Sequence, residues 1–224
     1  RYDDGQLHTV TTPDPDLTAS GPGLDPQTTS YTYYRDPANG LKTVTTLPDG
    51  GVVTQEYFPS GQLKKTWGAR TYPAEYTYDR AGRMATLTTW QQFNFGTGAG
   101  LAGSATTRWN YNARGLLANK RYADNKGPGY TYTAGGKLKT RLWARGVLTT
   151  YGYDDKTGDL LALTYSDATP PVTNTYARSG RLQSVTDASG LRTLGYRHGQ
   201  TTTEAYGPGL FAGFTLVRDY DDLD

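Results

Sequence analysis

A tyrosine recurs along this chain about every 21 residues, and a glycine follows it a few positions later. Successive tyrosines lie 24, 21, 33, 21, 21, 23 and 20 positions apart. A nearly fixed period of this length indicates a repeat architecture, in which one supersecondary unit is used many times. The tyrosines are Tyr33, Tyr57, Tyr78, Tyr111, Tyr132, Tyr153, Tyr176 and Tyr196, and the glycines are Gly61, Gly82, Gly115, Gly136, Gly158 and Gly180.

Each repeat predicts a β-hairpin. Tyr76 and Tyr78 are two positions apart, so on a strand both rings lie on one face. Asp79 then favours a tight turn, and Gly82 supplies the positive φ that such turns require. A return strand follows, and a second turn signal comes about seven residues later. Two short strands and two turns fill a unit of about 21 residues.

The composition favours the same fold class. The chain has 28 Gly, 12 Pro, 19 Tyr and 4 Trp but only 5 Phe and one Met. Tyrosine, tryptophan and threonine suit pleated surfaces, and glycine and proline interrupt helices. We therefore expect an all-β fold, a continuous antiparallel β-hairpin array whose interior is built largely from Tyr and Trp rings. The motif tyrosines Tyr78, Tyr111, Tyr132, Tyr153 and Tyr176 should be largely buried.

The array should fill residues 1–224 as a single domain of about nine to ten hairpin units. Its ends suggest truncation on both sides, because the chain begins with Arg1 and Tyr220 opens a further copy of the motif. The 33-residue step contains a Gly-rich insertion near 91–106. Because no helix pattern follows it, as a phosphate-binding loop would need, we expect a flexible loop between hairpins.

The segment from Tyr76 to Met84, with tyrosines, aspartate, glycine and arginine in order, resembles the YD repeat of the RHS (rearrangement hot spot) family. Gly180, Arg181 and Leu182 match the second half of that motif. The resemblance implies a hairpin sheet that spirals into a hollow shell. Such shells form the cocoon of bacterial insecticidal toxin complexes, occur in bacterial polymorphic toxins, and are also a part of the animal teneurin adhesion receptors.

The resemblance therefore implies a structural scaffold rather than an enzyme. The chain would be a segment of an RHS/YD-repeat shell of a large secreted or cell-surface bacterial protein, enclosing or displaying a toxin or effector domain. Its partners would be the remaining repeats and the cargo domain of the same polypeptide. The absence of cysteine excludes disulfides and fits an extracellular location.

Charge and side-chain chemistry argue against several other functions. The net charge of +2 gives no basic stripe for nucleic acid, and no apolar run is long enough to span a membrane. His8 and His198 are far apart in the sequence and have no cysteine beside them, so we expect no metal, no cofactor and no catalytic residue. Asp154 and Asp155 are interpreted as turn residues. A weak calcium site at Asp219–Asp224 remains as a minor hypothesis.

Four tryptophans support an alternative function, an adhesion or carbohydrate-binding surface with a cell-surface glycan or protein as partner. The candidate glycan contacts are Trp67, Trp90, Trp109 and Trp143. Aromatic rings on an accessible sheet face could stack on sugars. The competing interpretation, which we favour, is that these rings form the core, because the array has few other large apolar residues.

Overall fold

A computed structural model of the protein describes residues 2–3, 5–12, 27–36 and 40–220. These residues form strands, turns and irregular segments, and the described part of the chain contains no helix. It consequently offers no helical segment capable of crossing a membrane. The expected all-β class is confirmed.

The chain divides into two compact units, residues 1–110 with 121–125 and residues 111–120 with 126–224. The strands of the first unit are β1 (Tyr2–Asp3), β2 (Gln6–Leu7), β3 (Thr9–Thr12), β4 (Gln27–Asp36), β5 (Gly40–Thr46), β6 (Val52–Tyr57), β7 (Leu63–Gly68), β8 (Thr71–Tyr78), β9 (Met84–Asn94) and β10 (Ala99–Tyr111), whose last residue belongs to the second unit.

The second unit begins with β11, whose last residue belongs to the first unit. Its strands are β11 (Leu117–Arg121), β12 (Gly129–Tyr132), β13 (Leu138–Leu142), β14 (Leu148–Tyr153), β15 (Leu160–Tyr165), β16 (Val172–Tyr176), β17 (Leu182–Asp187), β18 (Gly190–Arg197), β19 (Gln200–Gly209) and β20 (Thr215–Val217).

Pairing within each unit is antiparallel between strands that are consecutive in the sequence. In the first unit β1 pairs with β2, and β3 to β10 pair in order. In the second unit β11 to β20 pair in order. Each unit is therefore a hairpin array of the predicted kind. Whether the array spirals into a shell stays a prediction.

In most repeats the motif tyrosine lies at or next to the end of the outgoing strand, at a local break in register, whereas Tyr33 lies within β4 in unbroken register. In the β12–β13 hairpin Thr131 faces Thr140, but the next residue, Tyr132, faces Leu138. One residue is thus left over in the return strand, the arrangement of a β-bulge. The same break precedes Tyr57, Tyr78, Tyr153, Tyr176 and Tyr196.

Two backbone hydrogen bonds close the turn after each of Tyr57, Tyr78, Tyr111, Tyr132, Tyr153 and Tyr176. The amide of Gly82 donates to the carbonyl of Asp79 at 3.0 Å, and the amide of Asp79 donates to the carbonyl of Arg83 at 2.8 Å. Gly82 has a φ of 77°, which glycine adopts without strain. Positive φ values recur at Gly61, Gly115, Gly136, Gly158 and Gly180. This is the hairpin connection in which a left-handed glycine follows the turn.

The opposite face of the sheet carries hydroxyl pairs. Thr77, between the two motif tyrosines of β8, has its Oγ1 2.6 Å from that of Thr86 on β9. Thr131 and Thr140 repeat this contact at 2.6 Å, and Thr175 and Ser184 at 2.7 Å. Cross-strand hydroxyl pairs of this kind favour one register, because a slip by one residue would move them to the other face.

The Gly-rich insertion is not the flexible loop expected from the sequence. Residues 91–94 continue β9, residues 99–106 belong to β10, and only residues 95–98 form the turn between them. The insertion therefore lengthens one hairpin by several residue pairs, from Thr88 opposite Thr106 to Asn94 opposite Ala99.

Few described side chains are fully buried. The buried apolar residues include Trp67, Ala74 and Val185 with the prolines Pro73 and Pro128, and the buried polar residues are Thr54, Thr66 and Thr149. The five motif tyrosines that were expected to be largely buried have most of their surface covered, although none of them is completely enclosed. None of the five is exposed.

Candidate functional site

The hydroxyls of six motif tyrosines donate to a backbone carbonyl of the preceding hairpin. Tyr153 donates to the carbonyl oxygen of Leu138 at 2.8 Å, and Leu138 is the residue that pairs with Tyr132, the motif tyrosine one repeat earlier. Leu138 is also the first residue of its return strand. Motif tyrosine and acceptor thus fix the spacing of neighbouring hairpins.

This tyrosine-to-carbonyl bond recurs in both units at distances of 2.7 to 3.0 Å. The donors and acceptors are Tyr33 and Leu7, Tyr78 and Leu63, Tyr132 and Leu117, Tyr176 and Leu160, and Tyr196 and Leu182. A hydroxyl that would otherwise lose water on burial is satisfied in each case.

Burial changes the acidity of these tyrosines. Partial burial raises the pKa of Tyr78, Tyr132 and Tyr153 above its ordinary value, because the phenolate would be poorly solvated. The first tyrosine of each Tyr-x-Tyr pair, two residues earlier, raises the pKa of the motif tyrosine further by charge repulsion. The neutral phenol, which is the form that donates the hydrogen bond, is therefore favoured.

A second set of bonds joins successive turns. The Gln62 amide donates to the carbonyl of Gly82 at 2.9 Å, which links the turns of adjacent repeats. Arg114 donates to the carbonyls of Ala134 and Thr133 at 2.8 and 3.0 Å. Side chains at the turns therefore tie repeats together at the same edge where the tyrosine hydroxyls do.

Lys137 combines both kinds of contact. Its Nζ donates to the carbonyl of Gly158 in the next turn and lies 5.3 Å from the centre of the Tyr153 ring. A cation at this distance from a ring face is attracted by the ring's quadrupole. Arg181 is placed similarly over Tyr196, at 5.7 Å.

The aspartate of the turn caps its own turn, as predicted. Asp79 Oδ1 accepts from the amides of Ala81 and Arg83, and Oδ2 accepts from Arg83 Nε at 2.8 Å. The Arg83 side chain holds the pKa of Asp79 below its usual range. Asp154 accepts from the amides of Lys156 and Thr157 at 2.8 Å each, which confirms its interpretation as a turn residue.

The lengthened hairpin and the neighbouring β7 carry a group of rings in tilted or edge-on contact, Trp67, Trp90, Phe93 and Phe95, here called the aromatic cluster. The centre of the Phe93 ring lies 6.3 Å from that of Trp67, 5.5 Å from that of Trp90 and 5.4 Å from that of Phe95. Trp67 is only 5% exposed, and its Nε1 donates to the carbonyl of Phe95 at 3.0 Å. The cluster therefore packs β7 against the turn of the β9–β10 hairpin.

Glycines in the insertion make room for these tryptophans. A Cβ at Gly98 would lie 2.6 Å from the Trp67 ring, and one at Gly100 would lie 2.2 Å from Trp90 Nε1. Both distances are below any real Cβ contact. The two indole rings lie directly on glycine backbone, so the glycines serve close packing.

Lys65 lies beside the aromatic cluster, and the carboxylate of Glu75 balances its charge. Lys65 Nζ is 5.0 Å from the Trp90 ring centre and 5.5 Å from that of Phe93. It is also 3.3 Å from Glu75 Oε2. The cation therefore has both a ring and a carboxylate partner.

The four tryptophans proposed as glycan contacts have different surroundings. Trp67 and Trp90 meet in the aromatic cluster, and Trp67 is too buried to touch a ligand. Trp109 is half-buried. Trp143 is 36% exposed, but the Arg141 guanidinium stacks on its ring at 3.6 Å and its Nε1 donates to Thr149 Oγ1 at 2.8 Å.

A recess of about 300 Å³ opens beside the aromatic cluster. Its lining includes Tyr72, Trp90 and Phe95, together with the polar residues Arg70 and Gln91. Tyr72, Phe93 and Phe95 are not among the site residues predicted from the sequence. The signal that could have revealed Phe93 and Phe95 is the concentration of aromatic residues, Trp90 to Phe95, just before the glycine run.

The described residues contain no group of three or more acidic, histidine or cysteine side chains that could hold a metal ion. His8 packs edge-on against Tyr33 at 5.9 Å, and His198 is an exposed residue with a φ of 50° beside Gly199. Residues 221–224 of the calcium hypothesis lie outside the described residues.

Comparison with protein-family models and with curated proteins finds no match to this sequence. Among solved structures the chain is similar to the crystal structure of TcdB2-TccC3, with a TM-score of 0.37 and 13% identity over 84% of this chain. It is also similar to TcdB2-TccC3 without the hypervariable C-terminal region, with a TM-score of 0.36 and 14% identity over 84% of this chain. The chain spans 16% of the length of either. At these TM-scores the similarity adds no argument of its own.

Proposed function

We propose that this chain is a structural scaffold, a segment of an RHS/YD-repeat shell of a large secreted or cell-surface bacterial protein. The shell would enclose or display a toxin or effector domain of the same polypeptide. The scaffold itself carries no catalysis, because its repeated polar groups are used in bonds between hairpins.

The observation that supports this proposal is the recurrence of the tyrosine-to-carbonyl bond. The bond links hairpins one repeat apart in both units, and it uses the motif residue and the start of the return strand each time. A wall that is extended by adding hairpins needs a bond of this kind, since each repeat contacts only its neighbours. A solitary binding site or catalytic site would not need the same key side chain in six repeats.

The first test is the sequence of the complete polypeptide that contains this chain. The proposal predicts many more repeats of the same period, a secretion signal, and a domain outside the array that differs in composition. A complete polypeptide with few further repeats would contradict enclosure, because so short an array could not surround a domain.

The second test is protease protection of that enclosed domain in the complete polypeptide. Replacing Tyr132, Tyr153 and Tyr176 together by alanine removes three successive links, so the domain should become cleavable. Tyr34→Ala is the matched control, because this ring is 53% exposed and lies outside the motif. Equal cleavage of the two variants and the unaltered protein would overturn the proposal.

A further inference from the structure

We propose that the recess beside Tyr72 and Phe95 is a binding site for a neutral carbohydrate. The proposal does not depend on the scaffold function. It rests on a departure from the repeat, on two exposed rings held in fixed positions, and on the balance of charge around them.

The departure is the lengthened β9–β10 hairpin. The other steps between motif tyrosines take 20 to 24 residues, whereas this one takes 33, so the scaffold does not require the extra length. Insertions into a repeat commonly carry its binding residues. Here the insertion brings Phe93 and Phe95 against the neighbouring tryptophans, and the close fit of Gly98 and Gly100 holds it there.

Two rings at the recess remain accessible. Tyr72 is 65% exposed and Phe95 is 55% exposed, although both line the same recess. The Tyr72 hydroxyl donates to the carbonyl of Trp90 at 2.8 Å, and the Phe95 ring packs on Phe93. Rings that are already ordered lose little conformational entropy when a ligand stacks on them.

The polar groups at the recess suit hydroxyls. Gln91 is exposed, and its amide can both donate and accept hydrogen bonds. Its side chain lies over the backbone of Gly103, where a Cβ would come within 2.7 Å of Gln91 Oε1. Sugars combine an apolar face of C–H groups with hydroxyls at the ring edge, and this recess offers rings and an amide together.

The balance of charge favours a neutral ligand. Arg70 at the recess is paired with Asp49, and Lys65 behind the rings is paired with Glu75. Nucleotides and acidic sugars require cations that are free to neutralise them.

The experiment is titration of the full chain with four soluble neutral oligosaccharides, the hexamers of β-linked glucose, α-linked glucose, β-linked galactose and N-acetylglucosamine. Calorimetry and tryptophan fluorescence follow binding, because Trp90 lies at the recess. We expect at least one hexamer to bind, and Tyr72→Ala and Phe95→Ala each to weaken it about tenfold, the usual effect of losing a stacked ring.

Two controls separate binding from folding. Tyr72→Phe keeps the ring and should keep most of the affinity, and Phe214→Ala removes a 68% exposed ring of the second unit and should leave binding unchanged. Phe95→Ala keeps the carbonyl that Trp67 uses but removes the ring contact with Phe93, so its melting curve is measured first and binding is compared at a temperature where the variant is fully folded. Failure of all four hexamers to bind would overturn the proposal. So would equal affinity of the alanine variants, or competition for the recess by a leucine- and phenylalanine-rich peptide alone.

Discussion

At the residue scale, glycines of the turns and strands are needed for two different reasons. Gly136 has a φ of 84° with open space where a Cβ would lie, so its requirement is only conformational. Gly68 has a φ of 131°, and a Cβ there would meet the carbonyl oxygen of Val52 at 2.1 Å. A side chain at Gly136 would therefore cost backbone strain alone, whereas a side chain at Gly68 would also clash with the paired strand.

Substitution of two adjacent glycines tests the conformational requirement. Gly136→Ala should lower the free energy of unfolding by about 1–2 kcal/mol, because a side chain disfavours the left-handed region. Gly135→Ala is the control, since its nearest neighbour, Thr133 Oγ1, lies at an ordinary 3.9 Å and its φ is not positive. Urea unfolding measures both, and equal effects of the two changes would contradict the turn assignment.

The tyrosine hydroxyls provide a second test at this scale. Tyr153→Phe removes only the oxygen that donates to Leu138 and should lower the free energy of unfolding by about 1 kcal/mol. Tyr151, two residues earlier, has no hydroxyl hydrogen bond in the part of the chain that the structure describes, so Tyr151→Phe should have little effect. Urea denaturation of both variants at the same pH and temperature compares their free energies of unfolding. A loss of stability confined to Tyr151→Phe would refute the role of the bond.

At the scale of elements, the hairpins could be predicted from the sequence because their signals are local. Tyr76, Tyr78 and Gly82 are close in the chain, and alternation with turn chemistry is enough to place them. The fraction of each tyrosine that stays exposed could not be predicted, because it depends on how much of each ring the neighbouring hairpin covers.

The bonds between turns have no sequence signature. Gln62, Arg114 and Lys137 all donate to carbonyls of the next turn, yet they differ in residue type, and Arg114 precedes its motif glycine whereas the other two follow theirs. Their acceptors are backbone carbonyls, which every residue has. Only the distance between turns in the folded chain reveals these contacts.

The strands formed by the Gly-rich insertion could not be predicted from the sequence for a related reason. A run of glycines suggests flexibility when it is considered alone, whereas here the missing side chains admit two indole rings. Trp67 bonds to Phe95, which is 28 residues away, so the reason for the glycines lies in a distant part of the sequence. Nothing within the insertion itself indicates this partner.

Packing of the insertion predicts that Gly100 is intolerant of any side chain. Gly100→Ala would place a Cβ 2.2 Å from Trp90 Nε1, so the ring must move, and stability should fall by about 1–3 kcal/mol. Gly96→Ala is the matched change in the same hairpin, because its nearest neighbour is Asn94 Oδ1 at 3.4 Å. Thermal melting and tryptophan emission should both change for Gly100→Ala only. An unaltered emission spectrum in that variant would show that the ring does not lie on Gly100.

At the scale of the whole molecule, the tyrosine bond is the feature that both units share. Tyr78 uses it in the first unit, and Tyr132 and Tyr153 use it in the second. Stability of a repeat array is approximately a sum of repeat and neighbour contributions. A property common to the repeats therefore influences the stability of the chain as a whole.

The raised tyrosine pKa values predict how this stability depends on pH. Because burial raises the pKa of Tyr78, Tyr132 and Tyr153 above 10.0, the unfolded chain loses these protons at lower pH than the folded one. Their contribution is thus complete below pH 10 and is lost as the pH rises through the folded pKa values. The free energy of unfolding, measured by urea titration from about pH 8 to about pH 12, should decline at the alkaline end, where the remaining titrations also act. Replacing all three tyrosines by phenylalanine should make that decline less steep, whereas a decline of equal slope in the triple variant would show that other groups cause it.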